Sequence, residues 1–547
     1  MNLLSSLNIS QGALSVNEKA ISVVSHNVAN MNTRGYHKQR VNLQARNIAG
    51  QIGDNPYNQV RANGGVMIAN VMRYNDDYLN NYYRQQLAQM NMYEQQLGNL
   101  DDLANIFNDL EGTGIDGALS NFYDALNNLN QYPASATARA NFIESAKSLI
   151  SIMNSKSVEL SKLTGQALGT GDSAEALANS RIYSQYREFN NCLEQLAEVN
   201  KALQTTQTGT LTANNLLDQR DLILHDLAQF VDFTVEEKPN GTVNLYIGDI
   251  PMVKGSTVVG SLSIQTAKDY CANHEPPIGD SETWHDIWYN QMHGEDAVIS
   301  IVNNSGDSVE VIYDNANSII QGGALGGLIH SATDYDDGVT NAGTVQAALD
   351  TLAGRIAELF NNLNTRDGAY CIDPNDTNML TETNANNIIF QSSDGGPITA
   401  ANITIADNLR TNDGIWDIAC AYFADPAERP SADNPDAYNA VGNSFNVIDM
   451  VATRTLKEPG VMNGMSLEDF YSNILGKVAS AGDNARSLYE TQCDVVDSLE
   501  SQLDAAYGVD LNEELVDLVK YQTAYAAAAQ VFNVVNSCLD TLVSLGR

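Results

Sequence analysis

The sequence predicts a multidomain α+β protein with a terminal coiled-coil-like helix pair, a long antiparallel helix bundle and a β-rich outer insertion. Three observations predict it. Apolar residues recur every seven positions at both ends of the chain, the interior runs in steps of three and four, and after Val231 the period shortens toward two. At 547 residues the chain exceeds one ordinary core, so several domains are expected.

At the N-terminal end no proline interrupts Leu3 to Ala29, and Leu7, Leu14, Ile21 and Val28 fall seven apart. So narrow a stripe marks a helix that seeks a partner helix, and Asn30, Asn32 and Gly35 end it. The C-terminal end repeats the device with Leu511, Leu518, Tyr525, Phe532 and Leu539. These residues are the expected assembly interface, and a terminal domain is expected from 1–50 with 505–547. Neither stripe can be covered by its own helix. Both ends are therefore expected to lack a partner in a single subunit and to order on assembly.

Charge distinguishes the two ends. Residues 1–50 carry Lys19, Arg34, Lys38, Arg40 and Arg46 against Glu18, a balance of +4. Residues 494–547 carry nine acids (Asp494, Asp497, Glu500, Asp504, Asp510, Glu513, Glu514, Asp517 and Asp540) against Lys520 and Arg547, a balance of −7. Opposed charges of this kind set register and encounter rate.

Between the ends, Met90, Tyr93, Leu97, Leu100, Ala104 and Phe107 follow a helical period, as do Ile182, Tyr186, Phe189, Leu193 and Leu196. Further helices are predicted over about 214–231, 343–364 and 466–505. They fit a bundle domain built from 70–232, 320–366 and 440–504. Phe233-Thr234-Val235 and Val243 to Ile247 flank Pro239-Asn240-Gly241, a hairpin signal because Asn-Gly supplies the positive φ of a tight turn. Strand-like pieces continue through 256–266, 297–302, 308–313, 387–391 and 402–405, so β-rich outer domains are expected over 233–319 and 367–439. The Pro- and Asp-rich stretch from Asp425 to Tyr438 reads as a linker.

Several function classes fall away. A net charge of −38 repels phosphates and excludes general nucleic-acid binding. No run of eighteen apolar residues is present, so membrane insertion is not expected, and Met1 to Ser10 lacks the basic region and cleavage site of a secretory signal. A terminal amphipathic helix on a membrane would carry a basic polar face, whereas Glu18 and Lys19 are the only charges between Met1 and Met31. Six scattered cysteines without a C-x-x-C read as free thiols. Serine-hydrolase, zincin and P-loop motifs have no anchor, so no catalytic residue, metal ligand or cofactor is assigned.

Three weaker patterns have an ordinary structural explanation. Cys271, His274, His285 and His293 could offer soft and imidazole ligands to a metal-dependent hydrolase, but their spacing matches no zinc site, and a polar surface insert is the preferred reading. Asp373, Asn375 and Thr377 resemble the start of a calcium loop. Asn378 and Asn384 occupy the places that need Gly and Glu, so an Asx-rich turn is expected. The run Gly322-Gly323-Ala324-Leu325-Gly326-Gly327 lacks phosphate-loop spacing and a nearby Lys, and reads as a chain reversal between domains.

The segment Asn27-Val28-Ala29-Asn30-Met31-Asn32-Thr33-Arg34-Gly35-Tyr36 resembles the signature near the start of flagellar rod, hook and hook-associated proteins. Its matching residues are Asn27, Asn30, Thr33, Gly35 and Tyr36, and Arg34 stands where the family usually has Pro. Asn214 to Asp221, Gly322 to Leu328, and Gly508 to Glu514 leading to Tyr521-Gln522-Thr523-Ala524-Tyr525 are similar to the hook-associated members rather than the shorter rod proteins. The resemblance implies a non-enzymatic, self-associating structural subunit that joins hook to filament on the outside of the bacterial cell. It implies the hook protein and hook-associated protein 3 as neighbours, a cytoplasmic export chaperone at the C-terminal helix, and type III export without a cleaved signal peptide. Another flagellar axial protein, of the hook or distal rod, is the alternative within the same machine.

Overall fold

The computed structural model describes residues 3–48, 62–107, 113–169, 177–266, 297–304, 308–312, 319–332, 340–411, 413–457, 460 and 462–545. The terminal stripes form the helices α1 (Leu3–Asn30) and α11 (Leu511–Leu545), which lie against each other. At 1.5 Å per residue, α11 extends roughly 50 Å. After α1 comes a long antiparallel hairpin, β1 (Gln39–Ile48) and β2 (Ala62–Arg73), with Val41 opposite Val71. The periodicities do not announce it. Register shifts at Asn42/Leu43 and Ala45/Asn47 are bulges that break the alternation.

The shaft follows as α2 (Asp77–Phe107), α3 (Ile115–Gln131), α4 (Ala136–Leu168), α5 (Arg181–Thr205) and α6 (Leu211–Phe230). It is completed by α7 (Gly323–Ala332), α8 (Ala342–Thr365), α9 (Phe445–Ala452) and α10 (Leu467–Tyr507). Local chemistry sets the starts. Ser135, Ser180, Thr210 and Ser466 each accept a backbone N–H in the first turn, and Asn341 with Thr344 forms a reciprocal capping box. Such caps satisfy donors that the helix leaves unpaired.

Two apolar cores run along the shaft. The first joins α2, α3, α4, α8, α9 and α10 around Phe122, whose ring centroid lies 4.9 Å from that of Phe360 and 5.2 Å from that of Phe142. In the second, α5, α6 and α7 pack Phe189, Leu193, Leu227 and Leu328 against the strands β4 (Val243–Ile247), β5 (Ile250–Lys254), β7 (Gly260–Thr266) and β8 (Ala297–Asn303). The sheets are ordered β3 (Thr234–Glu237)-β4-β5-β6 (Thr257–Val258) and β7-β8-β9 (Ser308–Ile312). Lys238 and Thr242 close the hairpin at Asn240-Gly241.

The later strands are β10 (Ala369–Asp373), β11 (Asp376–Glu382), β12 (Phe390–Ser392), β13 (Ile403–Ile405) and β14 (Ala421–Tyr422). Among the described residues none of them pairs with β3 to β9. β12 and β13 instead place Phe390, Ile403 and Ile405 in the first core. The Asp425 to Tyr438 stretch is not a free linker: it forms two short 3-10 turns, and Arg429 grips Asp367 through hydrogen bonds of 3.0 and 2.7 Å. Asp373 and Asp376 cap the β10–β11 turn, accepting from the backbone of Asn375 at 2.8 Å and of Asn378 at 3.1 Å, an Asx arrangement.

The glycine run turns the chain back onto the shaft. Asp232 Oδ1 already accepts from the backbone of Gln321 and Gly322, at 3.0 Å each. Gly323 has φ +76° and passes so close to Phe230 that a Cβ would sit 2.3 Å from its carbonyl oxygen. At Gly327 a Cβ would stand 2.5 Å from Met92 O, so its absence lets α7 press onto α2.

Candidate functional site: the joint of the two chain ends

The two ends meet at one side chain. Asn27, in the last turn of α1, donates through Nδ2 to Gln39 O at 2.9 Å and to Glu514 Oε2 at 3.0 Å. Its Oδ1 accepts from Tyr36 Oη at 2.7 Å and from Gln39 N at 3.1 Å. An amide offers both donors and acceptors, and this one uses both to tie α1, β1 and α11 together. Glu514 is 2 % exposed. Lys38 neutralises it from 3.4 Å and pairs with Glu513 at 2.5 Å. Burial opposes the Lys38 charge, but the two carboxylates hold its pKa above the ordinary value.

The rest of the signature shapes the turn between α1 and β1. Asn30 caps the helix end by donating to His26 O, and Thr33 N returns to Asn30 O at 2.9 Å. Gly35 takes φ +77° beside Leu222, a left-handed geometry that favours glycine. Tyr36 reaches back to His26 and Asn27, and burial pushes its phenol well above the usual range. Arg34, in the place of the family's Pro, forms an exposed pair with Asp226 at 3.2 Å.

A second network fastens this module to the shaft. Gln39 Oε1 accepts from Asn214 Nδ2 at 2.9 Å, and Gln39 Nε2 donates to Asn215 at 3.2 Å. Arg73, at the end of β2, donates to Asp218 and Asp221 on α6, each at 2.6 Å. His37 Nδ1 lies 2.9 Å from Arg73 Nη2 and 3.0 Å from Asp218 Oδ1, and its ring stacks on Tyr507 at 4.2 Å. Tyr507 Oη donates to Asn80 at 3.0 Å, and Lys38 N donates to Tyr507 O at 2.9 Å. Arg220 completes the knot by bonding Asp221, Glu237 and Gly241 O. Burial raises the Asp221 pKa, but Arg220 and Arg73 outweigh it and hold the carboxyl far below its ordinary range.

The expected seam residues divide. Leu7, Leu14, Ile21 and Val28 are half-buried on α1, as are Leu518, Phe532 and Leu539 on α11, whereas Leu511 and Tyr525 are 39 % exposed. The fully buried apolar residues described on α1 are Val16, Ala20, Val23 and Val24. Ala20 and Val23 pack with Val41 and Val71 of the hairpin, with Tyr521 alongside. Thus α1 serves two partners, which a single heptad stripe does not reveal. The expectation that both ends lack a partner in one subunit is corrected here: each covers part of the other within the chain. Asp218 lies within the Asn214 to Asp221 segment singled out in the sequence, whereas His37, Gln39 and Arg73 were not: the first two lie just after the signature, and Arg73 carries no local signal.

The joint has an acid-sensitive component. His225 on α6 meets Tyr83 edge-on at 5.0 Å, and its Nε2 is sequestered without a hydrogen-bond partner. Burial, aided by the neighbouring Arg84 guanidinium, lowers its pKa from 6.5 to about 3. The unfolded state therefore binds the extra proton first. The His225 contribution is complete above pH 6.5 and is lost as pH falls toward 3, at about 1.4 kcal/mol per pH unit. Unfolding midpoints of the wild type should fall between pH 6.5 and 4.5, and H225F should flatten that slope. An unchanged slope in H225F would show that other groups carry it.

Among the described residues no group of three or more His, Cys, Asp or Glu side chains could hold a metal ion. Cys271, His274, His285 and His293 lie outside the described residues. No helix among the described residues is long and apolar enough to cross a membrane.

The signature residues Asn27 to Tyr36 form the joint between the paired terminal helices and the shaft, and comparison with known proteins places the chain among the axial structural proteins of the bacterial flagellum. Residues 100–370 match the family described as the flagellar hook-associated protein FlgK helical domain. Residues 7–37 match the flagella basal body rod protein family, and residues 504–545 match the C-terminal family of the flagellar basal body rod FlgEFG proteins. The chain is 25 % identical to flagellar hook-associated protein 1 of Bacillus subtilis over 556 residues, covering 98 % of this chain and 97 % of that one. It is 23 % identical to the protein of the same name in Escherichia coli over 609 residues, covering 100 % and 99 %. The chain belongs to the flagellar hook-associated protein 1 family. Its fold is similar to that of the flagellar hook junction protein FlgK from Burkholderia pseudomallei, with a TM-score of 0.54 at 14 % identity, over 78 % of this chain and 99 % of the other.

Proposed function

We propose that this chain is the structural subunit that joins hook to filament, its α1–α11 pair forming the inner wall of a tubular junction and its shaft and β-rich parts facing outward. The observation that carries this reading is the Asn27–Glu514 hydrogen bond at 3.0 Å, which brings together residues 487 positions apart and presents both terminal helices as one unit. Burial of a Leu, Ile, Val or Phe contributes about 1.5–3 kcal/mol, so seams shared between copies can outweigh the entropy of ordering them.

On this reading the terminal module is 1–50 with 505–547, the bundle 70–232, 320–366 and 440–504, and the outer part 233–319 and 367–439. The nine stripe residues, from Leu7 to Leu539, face α1, α11 or a neighbouring copy. The partners are other copies of the chain, the hook protein on one side and hook-associated protein 3 on the other. A cytoplasmic chaperone holds α11 before type III export, because an uncovered helix with so many apolar side chains would otherwise aggregate.

Cells lacking the protein should carry intact hooks without filaments by electron microscopy, and the wild-type chain should restore the filaments. Filaments of normal number in the deletion strain would overturn this reading. Rescue of a strain lacking the hook protein or a distal rod protein would favour that other axial role.

A further inference from the structure

We propose that Asn463-Gly464, in the connection between α9 and α10, is a site of spontaneous covalent modification, where deamidation places a carboxylate on a cavity shared with Lys477. The chemistry is intrinsic to the dipeptide. The backbone nitrogen of Gly464 gives its proton to hydroxide and attacks the side-chain carbonyl carbon of Asn463. The new C–N bond closes a five-membered succinimide, and the side-chain nitrogen leaves as ammonia. Water then opens the ring at either carbonyl, giving Asp or isoAsp, and no oxidant or cofactor is consumed. Glycine favours the attack because no side chain shields its nitrogen.

The fold distinguishes this dipeptide from the others of its kind. Asn-Gly also occurs at Asn63-Gly64 and Asn240-Gly241. At the hairpin turn, Gly241 N is engaged, donating to Lys238 O at 2.8 Å. Asn240 Oδ1 accepts from Thr242 N at 3.2 Å and from Thr242 Oγ1 at 2.8 Å, and Leu217 packs against Gly241, where a Cβ would stand 2.8 Å from its Cδ2. Both reacting groups are therefore tied. Asn63 pairs with Asn47 in the ladder of β1 and β2, which holds that backbone extended. Asn463, by contrast, is exposed, and among the described residues neither its side chain nor Gly464 N makes a hydrogen bond. A Cβ on Gly464 would meet nothing within 4 Å. Asn463 itself takes φ +55° inside a short 3-10 turn, a left-handed conformation that costs a side-chain-bearing residue energy.

Charge favours the reaction at the same place. Asn463 and Lys477 line one cavity of about 160 Å³ with Phe470 and Asn473, and Lys477 is the only charged side chain among its described lining residues. Lys477 is exposed and makes no ion pair with a described residue. Its ammonium favours the anion formed when Gly464 N loses its proton, and it offers the product carboxylate a counter-charge. The isoAsp product also routes the main chain through the former side chain and lengthens it by one methylene. That extra length falls between Met462, buried in the first core, and Ser466, whose side chain accepts from Asp469 N at 3.2 Å to start α10. The modification thus acts on the seating of α10.

The test incubates the purified full-length chain in mildly alkaline buffer and digests samples over time. Mass spectrometry then follows the peptides that hold Asn63, Asn240 and Asn463, each of which gains about 1 Da on deamidation. In the folded chain the rate at Asn463 should exceed that at Asn240 roughly tenfold, because the hydrogen bonds at Asn240 must break before attack. The Asn463 product should contain isoAsp. In the chain unfolded by urea the same two rates should converge, since the sequence around the reacting atoms is then all that differs. K477M should slow the reaction at Asn463 several-fold and leave Asn240 unchanged. A folded-chain rate at Asn463 no greater than that at Asn240 would overturn the proposal. A K477M rate equal to that of the wild type would remove Lys477 from it.

Discussion

R73M should detach the terminal module from the shaft and give the largest loss of stability of any single substitution at the joint. The Arg73 side chain is 5 % exposed and holds Asp218 and Asp221 at 2.6 Å each. Removing it leaves buried carboxylates short of a counter-charge, which costs about 3–5 kcal/mol. Asp221 keeps Arg220 at 2.7 Å, so Asp218, shared with His37, bears most of the penalty. The expected signature is a new low-temperature transition in thermal unfolding, with the shaft transition unchanged. R73M combined with D218L should recover much of the loss, because the uncompensated charge is then gone. A thermal profile of R73M that overlays the wild type would mean that the network contributes nothing to docking.

L518D and F532D should abolish filament formation while leaving the shaft folded. Both side chains are half-buried on α11, whose principal neighbour is α1. Each substitution removes about 1.5–3 kcal/mol of apolar burial and adds a charge that must be desolvated. The two cores of the shaft contain neither residue, so the far-UV circular dichroism of the shaft should persist. Filament counts at wild-type level in either variant would show that this face of α11 is not part of the seam.

The contrast between these two experiments reflects what each layer of structure controls. L518D and F532D follow from a spacing of seven that is visible in the residues themselves. R73M does not. Arg73 ends a strand whose alternation is broken by bulges, and its partners lie 145 and 148 positions away on α6. Helices with strong periods were legible nearly to their ends: 343–364 is observed as Ala342–Thr365, and 466–505 as Leu467–Tyr507. The Asn240-Gly241 turn was legible for the same reason, since it is a local demand on φ.

Local signals alone determined that both ends of this protein are long apolar-striped helices, that its middle is helical, and that the signature from Asn27 to Tyr36 belongs to flagellar axial proteins. Only the tertiary structure decided which surfaces those helices cover. It turned Val16, Ala20, Val23 and Val24 inward while leaving Leu7 and Leu14 half-buried, and it made Asn27 the partner of Glu514. The physical reason is that periodicity records one face of one element, whereas a buried amide or guanidinium is satisfied by whatever distant groups the fold brings within about 3 Å.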